Sequence, residues 1–134
     1  MKTVDTSIVV AAFATWHADH QSARRAIDDG PRLVEHCAIE SYSVLTRLPP
    51  PHRVAGTIVA AYLADRFPET FLRLTPDSAK RMILSFPERG IAGGAVYDAL
   101  IAATARAFDA ELLTMDRRAM PVYERIGVRA RLLP

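Results

Sequence analysis

The chain has 134 residues, 50% hydrophobic and 24% charged, the composition of one globular domain with a buried core, and this excludes a disordered chain. Charge-free stretches such as Val54 to Ala64 are too short to span a bilayer, which takes roughly 20 apolar residues, and Asp5 stands where a secretory signal needs its apolar run. A net charge of +2 is too small for unspecific steering toward nucleic acid, and a single cysteine, Cys37, excludes an internal disulfide and a multi-thiolate zinc site.

These limits predict a cytoplasmic protein without a membrane segment. Among the basic residues only Lys2 and Lys80 are lysine. A codon bias explains so much arginine as well as any function does.

In chain order, Thr3-Val4-Asp5 reads as the end of a short strand. Thr6 to Phe13 is apolar and β-branched, but Thr6 or Ser7 could cap a short helix there. Asp19 to Asp29 has helical spacing and stops at Gly30-Pro31. Arg32 to Val34 reads as a strand. Ala38 to Leu48 reads as a helix ended by Pro49-Pro50-Pro51. His52 to Phe67 is a long helix, Phe71 to Leu74 is strand-like, and Asp77 to Phe86 is helical. After the loop Gly90 to Gly94 comes a helix from Val96 to Phe108, apolar nearly all round and therefore expected to be buried. Glu111 to Thr114 is a strand, Arg118 to Ile126 a helix with Pro121 in its first turn or bending it, and Val128 to Leu132 a last strand. Strands alternating with helices predict βαβ units and a parallel sheet covered on both faces, in one domain over residues 1–134. In such sheets sites form beyond the carboxyl ends of the strands.

That rule sorts the 15 acids. Asp5 and Asp116 follow strands. Asp98 starts the apolar helix, where a carboxylate needs a partner, and none is near along that helix. Glu40 reads as a first-turn residue of its own helix. Singly, each has an ordinary explanation: helix-start acids favour the helix dipole, and an Asp after a strand caps the next helix. Together, all four could converge at one edge of the sheet. Converging carboxylates raise one another's pKa, and a hard cation such as Mg²⁺ or Mn²⁺ relieves them. Such an ion serves metal-assisted attack on a phosphodiester.

Other chemistries have less support. His17, His20, His36 and His52 read as exposed or loop residues. His17 and His20, at i,i+3 spacing, give a weak metal hint that a solvated helix start explains better. No dinucleotide or P-loop glycine motif occurs, and no serine sits in a nucleophile elbow. Cys37 reads as core filling. Phe13 and Trp16 belong to an apolar interface or to the core.

Four fragments, Val4-Asp5-Thr6-Ser7, Glu40 to Pro49, Gly93 to Ala102 with its Val96-Tyr97-Asp98-Ala99, and Leu113 to Arg118 with its Thr114-Met115-Asp116, resemble in order and spacing a PIN-domain ribonuclease. More narrowly, the chain resembles a VapC toxin of a type II toxin–antitoxin pair. The resemblance implies a three-layer α/β/α sandwich with a mainly parallel central sheet, and a Mg²⁺-dependent endoribonuclease with Asp5, Glu40, Asp98 and Asp116 as catalytic acids and Asp5, Asp98 and Asp116 as metal ligands. It implies a water nucleophile with Glu40 or Asp116 as proton acceptor, and hydroxyls from Thr6, Ser7 or Thr114 as supports. It also implies an antitoxin partner that covers the site and joins the toxin on promoter DNA, and a homodimer. Arg117 and Arg118 are candidates to hold the RNA backbone. One departure is Ile39, which precedes Glu40 where a small residue is expected and bears on local packing. Two other readings compete. A receiver-like phosphoacceptor would want a lysine after a late strand, and neither lysine stands there. A silent scaffold that only binds a partner would have lost an acid, and all four are present.

Overall fold

The computed structural model describes residues 1–134. The strands are β1 (Lys2–Val4), β2 (Arg32–Leu33), β3 (Glu111–Thr114) and β4 (Ala130–Leu132). The helices are α1 (Thr6–Phe13), α2 (His20–Asp28), α3 (Glu35–Thr46), α4 (Gly56–Arg66), α5 (Pro76–Arg89), α6 (Ala95–Ala107) and α7 (Met120–Ile126), the last preceded by a 3-10 turn over Arg117–Ala119.

The sheet is wholly parallel in the order β2-β1-β3-β4. Thr3 pairs with Arg32 on one side and Leu112 on the other. Thr3 and Val4 point to opposite faces of the sheet, and both are completely buried. Helices therefore cover both faces, as a parallel sheet requires. One contiguous apolar core includes Val4, Ile8, Leu33, Leu45, Val59, Leu72, Ile101, Leu112 and Tyr123. The parallel pairing puts the carboxyl ends of β1 and β3 side by side, so the residues after Val4 and after Thr114 emerge together.

The three-layer expectation holds, with differences at element ends. Thr6 to Phe13 is a helix and not a continued strand, because the Asp5 carboxylate accepts the Ser7 N–H and caps it. The strand expected at Phe71 to Leu74 reduces to one parallel bridge, Leu72 to Val34. α3 begins three residues earlier than Ala38, at Glu35, directly after the sheet and without a side-chain cap to mark it. Glu40 is thus in the second turn, and its place owes nothing to the helix dipole. α4 begins at Gly56 rather than His52, because residues 52–54 fold back on α3: the Val54 N–H donates to the Leu45 carbonyl and Arg53 Nε to the Leu48 carbonyl. α5 runs past Phe86 through Pro87, near its end, and stops at Gly90, whose φ of +65° is left-handed and suits glycine. α6 is not buried all round: Tyr97 and Phe108 are exposed, the latter just past its end. β4 starts two residues later than Val128, whose N–H is taken by the Tyr123 carbonyl at the end of α7.

Candidate active site

A cavity of about 140 Å³ is lined by Asp5, Thr6, Ser7, Glu40, Gly94, Tyr97, Asp98, Ile101, Asp116, Arg118 and Tyr123. It brings together all four acids singled out in the sequence, from four separate segments. Asp5 emerges from β1, Glu40 from the middle of α3, Asp98 from the first turn of α6, and Asp116 from the turn after β3.

Asp5 is the most deeply held. Its Oδ1 accepts from the Ser7 N–H at 3.1 Å and from the Ser7 hydroxyl. Its Oδ2 accepts from the Thr114 hydroxyl and, at 2.8 Å, from the Tyr123 phenol. Burial pushes its carboxyl above the usual carboxylate range, and the hydrogen bonds from Ser7, Thr114 and Tyr123 pull the other way. The same hydroxyls tie the neighbouring loop down. Ser7 Oγ accepts the Met115 N–H at 2.9 Å, and Thr114 Oγ1 accepts the Asp116 N–H at 2.9 Å. Ser7 and Thr114 thereby fix the two strand-end acids relative to each other. Thr6 also lines the cavity, but its buried hydroxyl bonds none of the four acids.

Two of these acids cap helices as well as lining the cavity. Asp5 caps α1, and Asp116 caps the 3-10 turn through Oδ1, which accepts the Arg118 N–H at 3.0 Å. Asp98 has the non-local partner its setting demands: Arg118 Nη1 stands 3.6 Å from its Oδ2, while Arg118 Nη2 is 3.0 Å from Asp116 Oδ2. Burial pushes the Asp98 carboxyl up, Arg118 opposes this, and Asp116, Glu40 and Asp5 push it further up in that order. The carboxylates feel one another, as the sequence reading expects of acids that converge. The structure adds that Arg118 offsets part of their charge.

Arg117, by contrast, is exposed and outside the cavity lining. Glu40 is half-buried at the rim. Ile39 beside it is 62% exposed, so it does not crowd the acid. Lys2 pairs with Asp29 at 2.8 Å, and neither lysine lines the cavity.

Two residues lie closer to the site than the sequence suggested. Tyr123 is fully buried, with its hydroxyl on Asp5. Burial and the Asp5 charge push its phenol far up, so it remains a hydrogen donor at any working pH. His36 corrects the reading that all four histidines are exposed or in loops. It is half-buried on α3, its Nε2 stands 3.6 Å from Glu40 Oε2, and its ring lies parallel to Tyr97. An i,i+4 spacing from His36 to Glu40 on one helix was the available signal. Elsewhere, His17 Nδ1 accepts the Asp19 N–H, and His20 likewise is neither exposed nor in a loop: it is half-buried at the start of α2, with its Nδ1 on the Ala11 carbonyl. Trp16 is half-exposed against His52, and Phe13 packs edge-on to Tyr62 in the periphery of the core.

The donor set is chiefly carboxylate and hydroxyl oxygen, which suits a hard divalent cation such as Mg²⁺ or Mn²⁺. Asp5, Asp98 and Asp116, with Glu40 at the rim, are the residues placed to hold one. As they stand, no three of them form a compact ligand cluster, and the Arg118 guanidinium lies against two of them. Accepting an ion therefore means drawing Asp98 and Asp116 away from Arg118. No helix of the chain is long and apolar enough to cross a membrane.

The chain is similar to known proteins along nearly its whole length. Residues 2–125 match the PIN domain family. Ribonuclease VapC40 of Mycobacterium tuberculosis is 50% identical over 129 residues, covering 96% of each chain. Ribonuclease VapC27 of the same species is 39% identical over 137 residues, covering 93% of this chain and 91% of that one. Among solved structures, FitAB bound to an IR36 DNA fragment contains a chain with the same fold, at a TM-score of 0.74 and 16% identity, covering 98% of this chain and 94% of that one. The family match spans most of the chain and the similarity to the two ribonucleases runs nearly end to end, so the chain belongs to the PIN-domain family, in its VapC group.

Proposed function

We propose that this protein is a toxin of the VapC kind, a Mg²⁺-dependent endoribonuclease that a small antitoxin protein holds inactive. The observation that carries the reading is the convergence of Asp5, Glu40, Asp98 and Asp116, from four distant segments, on one cavity at the carboxyl edge of the parallel sheet. The relatives named ribonucleases supply the substrate class.

Asp5, Asp98 and Asp116 would hold the divalent ion, which when bound would supply screening of the phosphodiester charge and activation of water. The chain's own residues do the rest. Ser7, Thr114 and Tyr123 hold the Asp5 carboxylate in one orientation. Asp98 and Asp116 complete the negative pocket. Glu40, half-exposed at the rim, accepts the proton of the attacking water. Arg118, once drawn from the acids, contacts a phosphate oxygen, which Arg does well. Arg117 reaches the RNA backbone further out. Mn²⁺ can stand in for Mg²⁺. The protein works in the cytoplasm as a homodimer of single-domain chains, and it meets promoter DNA only through its antitoxin.

The test is cleavage of RNA by the purified protein with Mg²⁺, with EDTA, and with Asp5→Asn. Cleavage is expected only for the wild-type protein in Mg²⁺. Persistence in EDTA or in the variant overturns the metal-dependent reading. Sequencing of RNA 5′ ends after brief induction in cells, against Asp98→Asn, identifies the target.

A further inference from the structure

The acidic cavity opens beside an aromatic ring that the mechanism above does not use. Tyr97 lines the cavity next to Asp98, yet it is 53% exposed. One side of the ring has a neighbour. The His36 imidazole lies parallel to it, with 5° between the planes and 5.2 Å between centroids, and His36 itself stands against Glu40. The outer side has no cover. Helical side chains lean back over the preceding turn, and the residue there, Gly94, also lines the cavity and has no side chain to crowd the ring. A Cβ on Gly94 would meet nothing within 4 Å, and its φ of −61° is ordinary for any residue. The result is a flat apolar surface at the mouth of a site lined by four acids.

Such a site repels the polyanion it is proposed to cut. Attraction that carries no charge is needed beside Arg118, and an aromatic face supplies it, since every base has a π-face that stacks on one. Bases available for this are those of single-stranded RNA, which are not already stacked within a duplex.

We propose that Tyr97, backed by His36, is a stacking platform for an unpaired nucleobase flanking the phosphodiester held among the four acids. This rests on the ribonuclease reading and adds a contact that selects single-stranded RNA.

The test uses short single-stranded RNAs carrying 2-aminopurine at each position in turn, titrated in Mg²⁺ with the full chain bearing Asp98→Asn so that binding proceeds without cleavage. One position is expected to be quenched on binding. Tyr97→Phe in that background keeps the quench. Tyr97→Ala loses it and binds between about 5-fold and 150-fold more weakly, the range of one base stacked on one ring. Gly94→Leu, which covers the ring, weakens binding in the same way. An RNA abasic at that position binds the parent and Tyr97→Ala equally, which a merely structural role for Tyr97 does not produce. Binding and quenching by Tyr97→Ala equal to the parent, or no binding by the parent at all, overturns the proposal. The two readings fail separately: absence of RNA cleavage by wild type with stacking intact sinks the ribonuclease alone, and cleavage by Tyr97→Ala with an unchanged KM sinks the platform alone.

Discussion

The Tyr123 phenol donates to Asp5 Oδ2 at 2.8 Å across 118 positions of sequence, joining the last helix to the end of the first strand inside the core. Its partner on that oxygen is the Thr114 hydroxyl alone. Tyr123→Phe keeps the buried ring and removes only this donor. Supports of this kind orient a ligating carboxylate, and their loss typically costs about 10- to 100-fold in metal affinity or activity. The expected result is a fall of that size in kcat/KM or in Mn²⁺ affinity by calorimetry, with the fold retained by circular dichroism. Unchanged values would leave the orientation of Asp5 to Ser7 and Thr114.

The positions of Asp5 and Asp116 were legible because a strand end is a local signal and a parallel sheet gathers strand ends at one edge. Asp98 was legible because an acid in an apolar helix must have a partner. Glu40 was placed in the right helix but one turn too early, since α3 starts at Glu35 without the side-chain cap that marks a helix start. Tyr123 was not legible. Its role depends on α7 packing against α6 and β4 so that its phenol reaches the end of β1, and a tyrosine among apolar neighbours reads simply as core. Arg118 was legible as a cation near the site but not as the partner of Asp98, a pairing that exists only because α6 packs against α7 and so lies beside the turn that precedes it.

Thr114 serves both strand-end acids at once, donating to Asp5 and accepting the Asp116 N–H. Thr114→Val preserves shape and removes both bonds, leaving a backbone donor in a partly buried place without its partner. The expected cost is about 1–3 kcal/mol of stability in urea denaturation, together with reduced RNA cleavage. Thr114→Ser restores the hydroxyl and is expected to recover most of both. A valine variant as stable and active as wild type would mean the two loops hold their positions through backbone pairing alone.

Asp5 and Asp98 both have carboxyls pushed above the ordinary value of 3.8, chiefly by burial. A folded-state pKa above the unfolded one means the folded protein holds the proton more tightly. The stability so contributed is full below pH 3.8 and is lost as pH rises through the raised value. At neutral pH, without divalent ions, these acids therefore weigh against the fold. Asp98→Asn removes one such charge. Its melting temperature in EDTA at pH 7 is expected to exceed that of wild type, and the gap is expected to close as pH falls toward 3.8. Mg²⁺ reverses the order, since an ion at 100 times its Kd stabilises the protein that binds it by about 2.7 kcal/mol. Wild type melting above Asp98→Asn in EDTA at pH 7 would show that pairing with Arg118 outweighs burial.

A divalent ion held as proposed would contend with Arg118 for the same oxygens, because the guanidinium lies 3.6 Å from Asp98 Oδ2 and 3.0 Å from Asp116 Oδ2. Arg118 is largely exposed, and ion pairs of that kind contribute at most about 1 kcal/mol. Arg118→Ala is therefore expected to tighten Mn²⁺ binding, by no more than about 5-fold on that same scale, and at the same time to weaken RNA binding, because a phosphate contact is lost. The two effects have opposite signs and are read in separate titrations. Salt separates them further: a lost phosphate contact flattens the dependence of RNA affinity on ionic strength, whereas a lost competitor for the metal leaves it alone. Tighter metal binding with an unaltered salt slope would confine Arg118 to guarding the empty pocket. Unaltered metal binding with a flatter slope would assign it wholly to the RNA.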